Sequence, residues 1–266
     1  MKRLYFLLSI LCSTALTGQT LSDSLNYVYT KTYTDTTTNA KRYIEEVSYA
    51  NGFGLPIQTV QIGISPTKKD VVTMQIYDGL RRPSQVWLPA PTDQATGASV
   101  SISTIALKAT SIYNDDAKPY SLNVYENSPL NRVTQASGPG AAWHTDSTAV
   151  KTEYLTNDPD NKDLSCTRYS VSGASWSANL LKAGNYAKGE LLVNKVTDEG
   201  GNIGYTFTDK RGQTILTRQK NGNDNIDTYY VYDDYGNLSY VLPPLATELT
   251  AGYITDNNTT MKQYAY

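Results

Sequence analysis

The chain has 266 residues with 23 bases, 25 acids and a net charge of −2; 39% of it is hydrophobic and 18% is charged. That length admits one large domain or two smaller ones, and the lack of any basic block beyond the short pairs Lys68-Lys69 and Arg81-Arg82 argues against the concentrated footprint of a nucleic-acid binder. With 22 tyrosines against 3 phenylalanines, the composition favours pleated sheets with half-wet faces over a helical bundle.

Residues 1–18 read as a secretory signal. Met1, Lys2 and Arg3 form a positive start, and the uncharged, mostly apolar run 4–16 precedes Thr17-Gly18. Thirteen residues are too few for a comfortable membrane span. Cleavage is expected after Gly18 or Ala15, which sends the chain outside the cell or to its surface. Loss of Lys2 and Arg3 leaves 21 bases against 25 acids. Leu11 before Cys12 is too large for a lipid-attachment signal. Once Cys12 leaves, Cys166 stands alone and no internal disulfide can form.

Residues 19–40 are polar and threonine-rich and read as a flexible arm. Strands follow at 42–49, 57–64, 71–77 and 85–88, where apolar and polar residues alternate. Pro89-Ala-Pro91 is expected to stop the sheet. The stretch 92–190 changes character. It is rich in Ser, Thr and Ala, then in Pro and Gly around 128–144, and reads as an irregular insertion with strands at 151–155 and 166–171. Strands resume from Leu191 onward, with candidates at 203–207, 215–217 and 229–232. The expected fold is all-β: consecutive antiparallel hairpins in a meander over one domain at 41–266, interrupted by the loop-rich insertion.

One pattern recurs between strands: an acid or amide, two variable residues, then glycine. It occurs at Asn51-Gly-Phe-Gly54, Asp198-Glu-Gly-Gly201, Asp209-Lys-Arg-Gly212 and Asp233-Asp-Tyr-Gly236, with Arg81 replacing the glycine in Asp78-Gly-Leu-Arg81. The side-chain oxygen can accept from the turn's own backbone, and glycine takes positive φ without steric cost. A bulged hairpin turn is the product. Arg81 would be strained there, so its turn is expected to adopt another geometry.

Chemistry-bearing residues are few. His144 is the sole histidine; Asp146 or Asp158 could join it on paper, but no nucleophile elbow supplies a serine. Cys166 sits in a strand-like run and reads as a small buried hydrophobe. Glu45, Glu46, Glu126, Glu153 and Glu190 qualify for paired-carboxylate work only by being acids. The oxygen-rich stretches 157–163 and 221–227 lack the glutamate of a calcium loop and read as solvated loops. No catalytic, cofactor-binding or metal residue emerges, and no enzyme is expected.

Tyr77-Asp-Gly-Leu-Arg-Arg-Pro83, Ser128-Pro-Leu-Asn-Arg-Val133, Gly138-Pro-Gly-Ala-Ala-Trp143 and residues 229–244, with Tyr232-Asp-Asp-Tyr-Gly-Asn-Leu238 inside them, resemble the N-terminal region of Bacteroidetes Rhs/YD-repeat proteins over roughly 45–266. The resemblance implies a large exported or surface protein whose repeats build a β-sheet spiralling into a hollow shell, often around a toxin. It assigns no catalytic residue. On this reading the chain is a structural module of such a shell or scaffold, either a fragment of a larger protein or a detached module. It would meet a downstream repeat shell or a neighbouring chain at an open C-terminal edge. The second reading is a secreted β module binding a glycan or a surface protein, which an aromatic-lined cleft would favour.

Overall fold

The computed structural model describes residues 20–35, 42–145, 148–173, 179–247 and 262–263. Residues 1–18, expected to be a secretory signal, and Asp146 and Trp176 lie outside them. The chain is mostly β, built from antiparallel hairpins between sequence neighbours. It divides into two compact units, Met1–Tyr120 and Ser121–Tyr266, where a single domain was expected.

Unit 1 is a meander of β1 (Asn26–Asp35), β2 (Arg42–Ala50), β3 (Pro56–Gln61), β4 (Val71–Tyr77) and β5 (Pro83–Pro91), followed by helix α1 (Ile102–Ile112). The register stacks one apolar residue per strand: Val47 faces Val60, Val60 faces Val72, and Val72 faces Ala90. All four are fully buried, and such cross-strand rows are what hold a sheet together. The row beside it runs Tyr49, Gln58, Met74, Trp87. Helix α1 supplies Ile105 to the same core. Its N-terminus is capped by Ser101, whose hydroxyl accepts from Thr104 N at 3.2 Å.

Buried Asp70 fixes the loop that leads to the helix. Its carboxylate accepts from Gly63 N, Thr96 N and Gly97 N at 2.8–3.0 Å, so a buried charge is matched by backbone donors. Gly97 in turn receives the Tyr49 hydroxyl on its carbonyl at 2.8 Å.

Two expectations fail in this unit. The flexible arm contains β1, which pairs with β2 from Asn26↔Ala50 to Asp35↔Arg42. Its aromatic side chains supply the physical reason: Tyr27 packs on Tyr49 and Tyr33 on Tyr43, with centroids 5.8 and 5.9 Å apart. The sheet also does not stop at Pro89. Strand β5 continues to Pro91, opposite Val71, after a bulge between Val72 and Met74; bulges are where proline is tolerated in a strand.

Unit 2 contains β6 (Tyr120–Tyr125, whose first residue is the last of unit 1), β7 (Val133–Ser137), β8 (Val150–Thr156), β11 (Leu192–Thr197), β12 (Ile203–Thr208), β13 (Thr214–Asn221), β14 (Asp224–Tyr232) and β15 (Leu238–Leu242) in that sheet order. A short α2 (Pro244–Thr247) follows, and β16 (Lys262–Gln263) pairs with β15. Most of the expected insertion belongs to the units themselves. Among the described residues, β9 (Thr167–Ser172) and β10 (Asn179–Asn185) leave the sheet as a separate hairpin. They leave it to cover an apolar face: Cys166 and Leu180 pack with Val193, Phe207, Leu216 and Tyr229 in one core. That face carries the row Leu155, Val193, Phe207, Leu216, Tyr229, Leu242, each opposite the next.

Candidate functional site

The recurrent turn has one geometry in all five places. At Asn51, Asp78, Asp198, Asp209 and Asp233 the side-chain Oδ1 accepts the backbone N–H two and four residues on, at 2.8–3.1 Å. The backbone carbonyl accepts from the fourth residue of the turn, which lies at positive φ between 64° and 89°. Arg81 adopts this conformation at φ 64°, so the expectation of a different geometry there is overturned. Its guanidinium stacks 3.5 Å above the ring of Phe53, and Arg82 binds Asp78 Oδ2 at 2.7 Å; these contacts offset the left-handed backbone. The donors arrayed on Asp78, Asp198 and Asp233 hold their carboxyls below the usual range, led by the Arg82 backbone N–H at Asp78 and by the Asn202 and Asn237 side chains at the other two. These acids close turns.

The glutamates singled out by residue type are also engaged locally. Glu45 accepts from Tyr29 and Lys31 across β1 and β2. Glu46 accepts from Gln61 at 3.4 Å. Glu126 takes Arg132 through both oxygens at 2.6 and 2.8 Å. Glu153 pairs with Lys195, its direct neighbour on β11, at 2.6 Å. Glu190 accepts from Ala187 N at 2.8 Å. His144 follows a 3-10 turn at Ala141–Trp143. Cys166 is buried in the unit 2 core, where desolvation pushes its thiol up to about 12. Among the described residues no three of His, Cys, Asp and Glu come together as a metal-binding group.

The oxygen-rich loops are more ordered than expected. Asn157 is fully buried. It donates to the Tyr186 and Ala187 carbonyls and accepts from Leu191 N at 2.8 Å. Residues 221–227 form the tight end of the β13–β14 hairpin, with Asn221 opposite Asp224.

Two cavities differ in what they leave free. The larger, about 450 Å³, lies in unit 1 among Leu25, Ile57, Met74, Ile76, Val100 and Ile102. Its polar neighbours are already bonded: Gln58 to both the N–H and carbonyl of Val100, Gln75 to the Ile76 and Gln85 carbonyls, and Tyr77 to the Pro56 carbonyl. It has apolar surface but little to orient a polar ligand.

The second cavity lies in unit 2 and sequence reading missed it. It is narrow, about 70 Å³, and is lined by Tyr169, Tyr186, Tyr230, Tyr232 and Gln213. A separate, wider cavity of about 250 Å³ is lined by Arg168, Glu190 and Lys210, and Tyr186, Asp209 and Arg211 line both cavities. Burial raises the phenols of Tyr169, Tyr186 and Tyr232, so all three remain neutral hydrogen-bonding groups at physiological pH. The signal was present as the tyrosine excess, but β9 and the segment around Tyr186 are brought beside the Asp209 turn only by the tertiary fold.

The described chain is thus a mostly β meander in which one turn geometry closes five of the hairpins. Residues 24–156 match the family model described as a domain of unknown function, DUF6443; that is half of the chain, which belongs to this family. The match ends at the last residue of β8, so the tyrosine-lined cleft lies outside it. No curated protein matches the chain.

Proposed function

We propose that the chain is a non-catalytic structural module of an exported shell or scaffold of the Rhs/YD-repeat kind. The observation that carries this reading is the single turn geometry at Asn51, Asp78, Asp198, Asp209 and Asp233. A unit of strand, Asx-closed turn and strand can be repeated without limit, each hairpin covering the edge of the one before. The acids that a hydrolase would need are bonded within turns and between strands.

The partner on this reading is a β-edge, either a downstream repeat array or a neighbouring chain. Among the described residues β16 pairs with β15 alone, leaving its other side, the C-terminal edge, able to accept a strand. The test is to place an epitope tag in the exposed Gly222-Asn223 turn, express the chain from its own cells, and size the tagged material by light scattering and electron microscopy. The proposal requires export of the tag in a particle many times the 29.3 kDa of the chain. A free monomer of that mass in the medium, or retention in the cytoplasm, would defeat it.

A further inference from the structure

We propose that the tyrosine-lined cleft of unit 2 binds a carboxylate-bearing sugar, the uronic-acid unit of an acidic oligosaccharide. Three unmet requirements in the cleft define that class. The first is a donor. Gln213 Nε2 donates to the Gly236 carbonyl at 3.0 Å, which leaves Oε1 as an acceptor; this atom is buried and has no hydrogen-bond partner. Buried acceptors in native proteins are nearly always matched. Beside it, the hydroxyls of Tyr169, Tyr186, Tyr230 and Tyr232 make no hydrogen bond within the described residues. Hydroxyl groups, which donate and accept at once, answer both needs.

The second requirement is negative charge. Both lining carboxylates are engaged: Asp209 Oδ1 by Arg211 N and Gln213 N at 2.9 and 2.8 Å, and Glu190 by Ala187 N at 2.8 Å. Arg168 and Lys210 form no ion pair among the described residues, and Arg211 reaches only the Asp209 of its own turn, at 3.3 Å. A carboxylate would take a guanidinium through two oxygens, the strongest hydrogen bond available at such a rim. The third is a match to an aromatic lining: the Tyr186 ring borders both cavities, with Arg168 5.7 Å from its centroid. A uronic acid carries the donor, the anion and the apolar ring face together. Inorganic phosphate has the charge but neither the hydroxyls of a sugar nor an apolar face. An acidic peptide has charge and N–H groups, yet a narrow space beside four phenols suits hydroxyls better.

The inference is independent of the shell proposal, since it concerns a site outside the matched segment and is read on the isolated chain. The experiment is calorimetric titration of the full chain with trigalacturonate, galactotriose, oligoglutamate and inorganic polyphosphate. Trigalacturonate is expected to bind, and galactotriose to bind at least about tenfold more weakly. Arg168→Ala and Arg211→Ala are expected to weaken trigalacturonate by about tenfold each, with Arg168→Lys recovering only part, because lysine lacks the planar fork. Tyr186→Phe, which removes one hydroxyl and keeps the ring, is expected to weaken it by several-fold. Arg168 is exposed, so its variants should melt with the parent. No heat at about 10 mM trigalacturonate, equal binding of galactotriose, or equal binding of oligoglutamate or polyphosphate would each overturn the proposal. So would indifference of trigalacturonate binding to all the variants.

Discussion

Arg218 and Asp227 face each other across β13 and β14 and join through two contacts of 2.7 Å, Nε to Oδ1 and Nη2 to Oδ2. The arginine side chain is 4% exposed. Its remaining nitrogen donates to the carbonyls of Lys162 and Asp163 at 3.2 and 2.8 Å, so one guanidinium ties a hairpin to the loop that leads into Cys166. Lys220 repeats the link by binding Asp163 at 2.6 Å.

Arg218→Ala should therefore cost about 3–5 kcal/mol in urea unfolding, because it leaves the largely buried Asp227 carboxylate without its guanidinium and the Asp163 carbonyl without its donor. Replacing both partners with apolar residues, Arg218→Met with Asp227→Leu, should recover much of that loss. A double variant as unstable as the single one would show that the loop carbonyls, and not the buried pair, dominate.

The repeated turn makes a different demand. Gly212 lies at φ 83° with open space around the position of a Cβ, so Gly212→Ala meets no atom and suffers only from the backbone conformation. It should destabilise by about 1–2 kcal/mol. Arg81→Gly relieves the same strain but gives up the Phe53 contact and adds freedom to the unfolded chain, so it should change stability by less than about 1 kcal/mol. Thermal melts of the two variants test the contrast; equal effects would mean that the two turns are not equivalent.

The reach of sequence reading follows from which forces are local. The Asx-Gly turn is closed by its own residues, and Asp198, Asp209 and Asp233 were read correctly with the strands between them. Val71–Tyr77 likewise shows its alternation in the sequence. Strand β1 was missed because its hydrophobicity comes from tyrosines that acquire meaning only against Tyr43 and Tyr49 on β2. What offsets the strain at Arg81 lies beyond its local sequence, in the Phe53 ring of a neighbouring turn. The cleft was invisible for a similar reason: Tyr186 and Gln213 are distant in sequence, and nothing local announces that Oε1 of Gln213 will be buried without a donor.

Acid should act through Glu126. Arg132, with Ser128 second, holds its carboxyl at about 2, below an ordinary value of 4.5. A depressed folded-state value means that the contribution is fully present above the unfolded value and is lost as pH falls through the folded one. The stability difference between the parent and Glu126→Gln should thus be constant from neutral pH down to about 4.5 and shrink towards pH 2. Urea midpoints at intervals across that range provide the measurement; a difference that grows on acidification would contradict the assignment of Arg132 as the cause.

Cys166 offers the converse case, a group whose ionised form is disfavoured. Desolvation raises its thiol to about 12 from an ordinary value of 9.0, overriding the opposing pull of Arg218. Because the thiolate is the reacting species, a chain carrying Cys12→Ser should react with a disulfide reagent at pH 8 only through opening of the fold. Labelling should accelerate sharply in denaturant. Arg218→Ala should also accelerate it under native conditions, since the guanidinium anchors the loop that leads into Cys166. Rapid labelling of the folded parent would show that β9 does not seal Cys166 against the row from Leu155 to Leu242.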